Sequence, residues 1–350
     1  MTYDRNRGEV PRLLQVSAAY SWRFLTVVAA AAVIVYILVT LRLIVIPAVI
    51  ALLLSTLLVP VADRLKRAGV PPLLAAGMTF FGGIGLMGAI VFLIAPQVAD
   101  QLGNLGRDAR RGIEDVVTWL VKGPLDLTRA EVDNYLSQIG RQISENRSSF
   151  VSGGLRGAYL LVEIIAGAML TFVMTFFFIK DGDHISRGVL GLFSEDRHDA
   201  LIEVGARSWR ALSAYIRGTA IVGLVNAAVI GVALLILGVP LVLPLVIITF
   251  LGAFFPLVGA VVAGALGTLV ALVTVGVVPA AIVAGVTIVV QQVEGDVLQP
   301  LVLGRAVKLH PLVILLSLTA GAIIAGVAGA FLAVPIAAVV SASVAYLREA

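Results

Sequence analysis

Apolar residues come in long runs along this chain, near 24–41, 43–59, 72–95, 158–179, 218–237 and 278–294. A helix needs about 20 such residues to cross the hydrocarbon core of a bilayer. Two longer apolar stretches, 239–276 and 311–347, are each interrupted near the middle by Pro and Gly. The pattern predicts an all-α, polytopic integral membrane protein. It has about eight membrane segments if each broken stretch counts once.

Arg42 is the only charge between the first two runs. Read as one helix, 24–59 would be roughly 54 Å long, so a tight hairpin near Arg42 is expected. The connection 60–71 is short and carries Arg64, Lys66 and Arg67. Residues 180–217 carry Lys180, Arg187, Arg197, Arg207, Arg210 and Arg217. Basic loops stay in the cytoplasm, which places both segments, and by counting spans both termini, inside and 97–157 outside. In that insert Thr128 and Glu131 match a capping box, followed by Val132, Tyr135, Leu136, Ile139 and Ile143 at helical spacing. Ile113, Val116, Val117 and Leu120 repeat the spacing in an earlier helix. Such amphipathic helices either lie on the membrane face or gate access to a path through it.

The broken stretches resemble one another. Residues 243–260 read LPLVIITFLGAFFPLVGA and residues 310–330 read HPLVILLSLTAGAIIAGVAGA. The breaks fall at Pro256/Gly259 and at Gly326/Gly329, leaving halves of about 15–18 residues that are marginal as full spans. Either four thin spans or two re-entrant hairpins follow. Non-helical backbone at membrane depth is tolerated where it lines a cavity or is covered by protein. As hairpins, the first would enter from outside and the second from inside, an inverted arrangement suited to alternating access.

Composition agrees. Of 350 residues, 60% are hydrophobic and 13% charged, against about 25% charged in soluble domains, so the lipid bilayer is the expected partner. The net charge of +4 comes with no basic stripe interleaved with aromatics, which speaks against nucleic acid. There is no Cys, so disulfides and thiolate metal sites are excluded. His184, His198 and His310 lie outside the apolar runs. Arg5, Arg7, Arg12 and Arg23 precede a first run longer than a signal-peptide core, which reads as a retained anchor. GIGLMG at 83–88 fits G-x-G-x-x-G, but it sits inside an apolar span without a preceding strand and suits helix packing instead. No Walker A loop, H-E-x-x-H or G-x-S-x-G is present. Neither an enzyme nor an ATP-driven pump is expected, and no cofactor or metal.

The informative polar cluster is QQVEGDVLQP, 291–300, at the end of an apolar helix. Gln291, Gln292, Glu294, Asp296 and Gln299 gather there, and Pro300, Gly304 and Pro311 mark turns beyond it. Carboxylates at membrane depth tend to face water cavities and to serve ions or substrates. Alternatively, Glu294 and Asp296 mark the membrane surface and pair with Arg305 and Lys308. Glu163, one to two turns inside its span, either pairs with a basic group such as Arg156 or lines a path. Asn226 either joins two helices by a hydrogen bond or lines that path.

Taken in order, FFFIKDGD (176–183), YIRG (215–218), FPLVGA (255–260), EGDVLQPLVLGRAVKLHPL (294–312) and GVAGAFLAVPIAA (326–338) resemble the autoinducer-2 exporter family. The first two spans followed by DRLKRAGVP (63–71) are similar to it as well. The resemblance implies a homo-oligomeric inner-membrane carrier, without ATPase machinery, that exports a quorum-sensing signal or exchanges sodium for protons. The expected organisation is a cytoplasmic segment (1–23), N-terminal spans (24–95), an extracytoplasmic amphipathic insert (96–157) and a span (158–179). A cytoplasmic helical loop (180–217) and a C-terminal transport core (218–347) follow. The expected function is secondary transport of a small polar solute, with protons or sodium ions as coupling partners. The alternatives are an antiporter of those ions, a passive pore, and a membrane scaffold that transports nothing.

The expected topology is tested on the cysteine-free chain. Ser148→Cys should react with an impermeant thiol reagent applied to whole cells or spheroplasts, and Ala68→Cys should not. A reversed pattern overturns the orientation.

Overall fold

The computed structural model describes residues 12–96, 154–256, 258–303 and 310–349. Among them every regular element is helical. The helices are α1 (Arg12–Thr40), α2 (Arg42–Arg67), α3 (Pro72–Pro96), α4 (Gly154–Leu190), α5 (His198–Ile236), α6 (Val242–Gly252), α7 (Val258–Thr274), α8 (Val277–Val293), α9 (Gln299–Leu303) and α10 (Pro311–Glu349). A π turn, Glu294–Leu298, joins α8 to α9. Among the described residues 7 helices are long and apolar enough to cross a membrane, and the shorter α6 and α7 make up the first broken stretch. The expected all-α polytopic fold is therefore observed. Most of the amphipathic insert, residues 97–153, lies outside the described residues, as does Gly304.

The reversal expected at Arg42 does not form. Leu41 N–H donates to Ile37 O and Val45 N–H to Leu41 O, each at 2.9 Å, so the helical ladder carries across the junction. The described α1 side chains from Tyr20 onward are exposed rather than packed back on α2. Thr40-Leu41-Arg42-Leu43 holds none of the Gly, Pro or Asn that set a tight turn, and a lone Arg is a good helix former. The boundary drawn at 217/218 also lies inside a helix, since α5 runs unbroken for 39 residues.

Lipid gives apolar helices no hydrophobic reason to associate, so close backbone approach and satisfied polar groups must hold them. Large side chains accordingly face outward: Ile236 is 79% exposed and Ile323 81%. Small ones, together with a few Leu and Ile, face inward. Ala62 of α2, Ala76 of α3 and Ile179 of α4 form one core, and Gly167 of α4 faces Pro47 of α2. Buried hydroxyls bond their own helices, Ser55 to Ala51 O and Thr175 to Thr171 O, both at 2.7 Å.

Both broken stretches are hairpins. α5 ends on Gly238 (φ 67°), where Val239 N–H reaches Leu234 O and Gly238 N–H reaches Leu235 O. This left-handed cap needs a residue without Cβ. The chain then turns back as α6: Val246 packs at Gly231 of α5, and Phe250 and Ala253 at Gly223. A turn over 253–256 leads toward α7, which lies along α6 with Leu245 and Ala271 in one core. At the tip the backbones of Gly252 and Gly259 touch, so a Cβ on Gly259 would overlap the Gly252 carbonyl. α10 repeats the device. Ala325 (φ −138°, ψ 24°) and Gly326 (φ 60°, ψ −140°) interrupt it, and Gly321 and Gly329 then meet backbone to backbone. Eight residues of continuous helix would span about 12 Å, so contact between them requires the chain to reverse.

The hairpins approach from opposite ends of α5. The first packs its base on Ile230 and Leu234, near the C-terminal end. The second returns its last arm to the N-terminal half, where Ser343 and Ser208 hydroxyls lie 3.1 Å apart and the Arg207 guanidinium sits 4.8 Å from the Tyr346 ring centroid. Between them the tips meet: Phe331 lies 6.4 Å from Phe254 and 5.2 Å from Phe255, centroid to centroid. Around them Leu53 of α2, Tyr215 and Ile216 of α5, and Leu332 complete a core.

The glycine contacts set the stability expected of each hairpin. Gly259→Ala and Gly329→Ala push a methyl against backbone carbonyls that have no rotamer to escape into, and should cost about 1–3 kcal/mol. Gly285→Ala in α8 meets nothing within 4 Å and should gain up to about 1 kcal/mol. Thermal unfolding of the purified variants in detergent reads the order. Equal melting temperatures for all three would remove the glycine contacts as determinants.

Candidate functional site

Three elements converge beside the first hairpin tip. α8 runs antiparallel to α7, with Gly264 against Thr287 and Gly267 against Val283. Carried on, that register brings Glu294, at the start of the π turn, level with the 253–256 turn. On α5, Gly223 abuts Ala253 of the same turn, and Asn226 stands three residues further along, on the same face.

Glu294 and Asn226 meet there, 68 residues apart in sequence. Asn226 Nδ2 donates to Glu294 Oε2 at 2.5 Å, and Gln299 Nε2 donates to Oε1 at 3.3 Å. The backbone closes the loop, with Gln299 N–H donating to Glu294 O across the π turn. Pro300 follows and brings no N–H to the ladder; wider turns of this kind are frequent at functional sites. Asn226 is only 4% exposed, and its Oδ1 is buried without a hydrogen-bond partner among the described residues. A buried amide with half its capacity unused is uncommon. It leaves an acceptor beside a carboxylate that two amides hold in place. Such a set can take up a proton or contribute oxygen ligands to a small cation.

The other sequence candidates spread out. Gln291 is half-buried on α8, while Gln292 and Asp296 are exposed. Among the described residues no ion pair includes Glu294 or Asp296, and Arg305 and Lys308 lie outside those residues. Pro256 stands in the first tip and Gly259 one residue into α7; Gly326 forms the second tip and Gly329 closes it. Pro311 is the first residue of α10, where its missing N–H is harmless. Glu163 is exposed on α4, which packs on α2 rather than against the hairpins. The structure does not bring it to Glu294.

Arg217 belongs in this description although its charge alone suggested a loop. Its Nε donates to Thr56 O of α2 at 3.0 Å. That carbonyl has no helical donor because the residue four positions on is Pro60, inside α2. The signal was present in the sequence as a proline within an apolar helix, which frees one acceptor for a donor elsewhere.

The sequence pattern of the family described as "AI-2E family transporter" matches residues 24–349. "Putative transport protein MT0215" of Mycobacterium tuberculosis (strain CDC 1551 / Oshkosh) is 37% identical over 335 residues, spanning 96% of this chain and 91% of that protein. "Putative transport protein YrrI" of Bacillus subtilis (strain 168) is 28% identical over 312 residues, spanning 84% of each. With long apolar helices throughout and a match over nearly its whole length, the chain is a multi-pass membrane protein and belongs to the AI-2E family of transporters.

Proposed function

We propose that this protein is a secondary transporter that carries a small polar solute across the inner membrane at the level where the two hairpin tips meet. One observation carries the reading: two helical hairpins approach from opposite ends of α5, touch at Phe254, Phe255 and Phe331, and have the Glu294 carboxylate beside the first tip. A short hairpin that closes on glycine backbones can move as a unit, and one at each end supplies the two barriers that alternating access requires. In this reading Glu294 binds the coupling ion, a proton or sodium, and Asn226 and Gln299 position it. Asp296 and Gln291 stand near enough in the chain to assist. Export of an autoinducer-2-like signal by a homo-oligomer is the substrate and direction that the family name favours. Sodium–proton exchange is the second reading, favoured by the unused Asn226 acceptor.

The test is flux of a solute panel in proteoliposomes, with and without an imposed proton or sodium gradient. Glu294→Gln should keep expression and assembly but remove the gradient dependence. Asn226→Ala withdraws a hydrogen bond of the charge-assisted kind and should weaken ion-dependent flux about 10- to 100-fold. Asp296→Asn should have the smaller effect. Gradient-driven flux that survives Glu294→Gln unchanged rules out the coupling role. Flux that never saturates, in any variant, favours a passive pore.

A further inference from the structure

We propose that Arg217 is the recognition group for an anionic solute, a small carboxylate or oxyanion, bound through its two terminal guanidinium nitrogens. The proposal rests on the transport reading above and adds the charge of what is carried.

Position comes first. On α2, Thr56 stands eight residues before Arg64, about 12 Å from the basic end of that helix. On α5, the Ser208–Ser343 contact and the Tyr346 ring over Arg207 mark a polar boundary, since tyrosines concentrate at membrane–water interfaces. Arg217 lies nine residues further along, about 14 Å deeper. Its neighbours Tyr215 and Ile216 share a core with Leu332 and with Phe254, one residue from each hairpin-tip region. Two independent helices thus set the guanidinium well inside the apolar zone, at the level of the tips.

Its bonding comes next. Only Nε is engaged, with the carbonyl that Pro60 frees. Among the described residues nothing else bonds the guanidinium and no carboxylate pairs with it, and the side chain is exposed. One orphan carbonyl needs one donor, which a neutral Ser, Asn or Gln would supply. A permanent charge at this depth is costly and is found where it has a task. Anchoring by Nε fixes the plane of the fork and leaves two parallel N–H donors, the geometry that matches a carboxylate or phosphate oxygen pair.

The test is binding rather than flux, so its outcome is independent of whether Glu294 couples an ion. Unfolding of the full chain in detergent is titrated with sodium acetate, sodium lactate and sodium phosphate, and separately with phosphatidylglycerol. Sodium chloride at matched ionic strength and glycerol serve as references. At least one of the three anions should raise the unfolding temperature of the wild type, and glycerol should not. Arg217→Gln should weaken the apparent affinity about 10- to 100-fold.

A merely structural role is separated by adding Pro60→Ala, which returns to Thr56 O its own helical N–H donor. The double variant Pro60→Ala/Arg217→Gln should fold and still fail to bind. Recovery of the anion response in that double variant overturns the proposal. So does a wild type that none of the three anions stabilises beyond chloride, or that only phosphatidylglycerol stabilises, which would place a lipid phosphate at the site. If neither glutamine variant folds, Arg217→Lys, which keeps a donor for Thr56, decides the matter. Weakened anion affinity supports the fork, and unchanged affinity overturns it.

Discussion

A lipid-facing chain cannot leave backbone groups outside a helix unless protein or enclosed water covers them. The chain here reverses twice within its apolar half, between α6 and α7 and at Ala325–Gly326. Much of the C-terminal architecture follows from covering those two reversals. Each is first closed on itself by a pair of glycines whose backbones touch. Each is then covered by the other, through the Phe254, Phe255 and Phe331 rings, and by α2 and α5 from the side. α5 is long enough to do this for both. At 39 residues it extends about 58 Å, nearly twice the hydrocarbon thickness, so one hairpin docks on each half.

The same requirement explains where polar chemistry appears. Most hydroxyls in the apolar helices bond their own helix and contribute little between elements. Ser208 and Ser343 do join two helices, but two of the contacts between elements stand where the helical ladder is incomplete. The π turn before Pro300 carries Glu294, held by amides from α5 and α9. Pro60 in α2 leaves the Thr56 carbonyl to Arg217. Proline, by omitting a donor, marks both of these places.

Legibility in the sequence divided along physical lines. Membrane segments were legible because an apolar run of bilayer length finds a matching solvent only in lipid. The two broken stretches were visible as paired Pro-Leu-Val…Gly-Ala segments whose halves are marginal as spans, which left four thin spans open beside two hairpins, and Gly252 and Gly321, the other half of each contact, were not marked. Arg42 misled, because one charge between two apolar runs looks like a loop when spans are counted, whereas a helix tolerates it. Glu294, Gln299 and Asn226 each stood out as polar residues in apolar surroundings. That Asn226 and Glu294 touch depends on the register of α5 against α8, which no local pattern encodes. Glu163 had the same local appearance and lies elsewhere. Arg217 was grouped with loop charges because charge counting ignores the proline on another helix that draws it inward.

The inequality of the hairpin arms has a consequence for how the protein is made. α6 has 11 residues and α7 has 17, about 16 Å and 25 Å of helix. α6 falls far short of the length of a spanning helix, and α7 stands at its lower limit. The first hairpin therefore enters the membrane as a pair rather than as two successive helices. It has a surface to fold against only because α5 precedes it in synthesis. The second hairpin is made after it, when Phe254 and Phe255 are already in place to receive its tip. Chain order thus doubles as an assembly order, each reversal being covered by something synthesised before it.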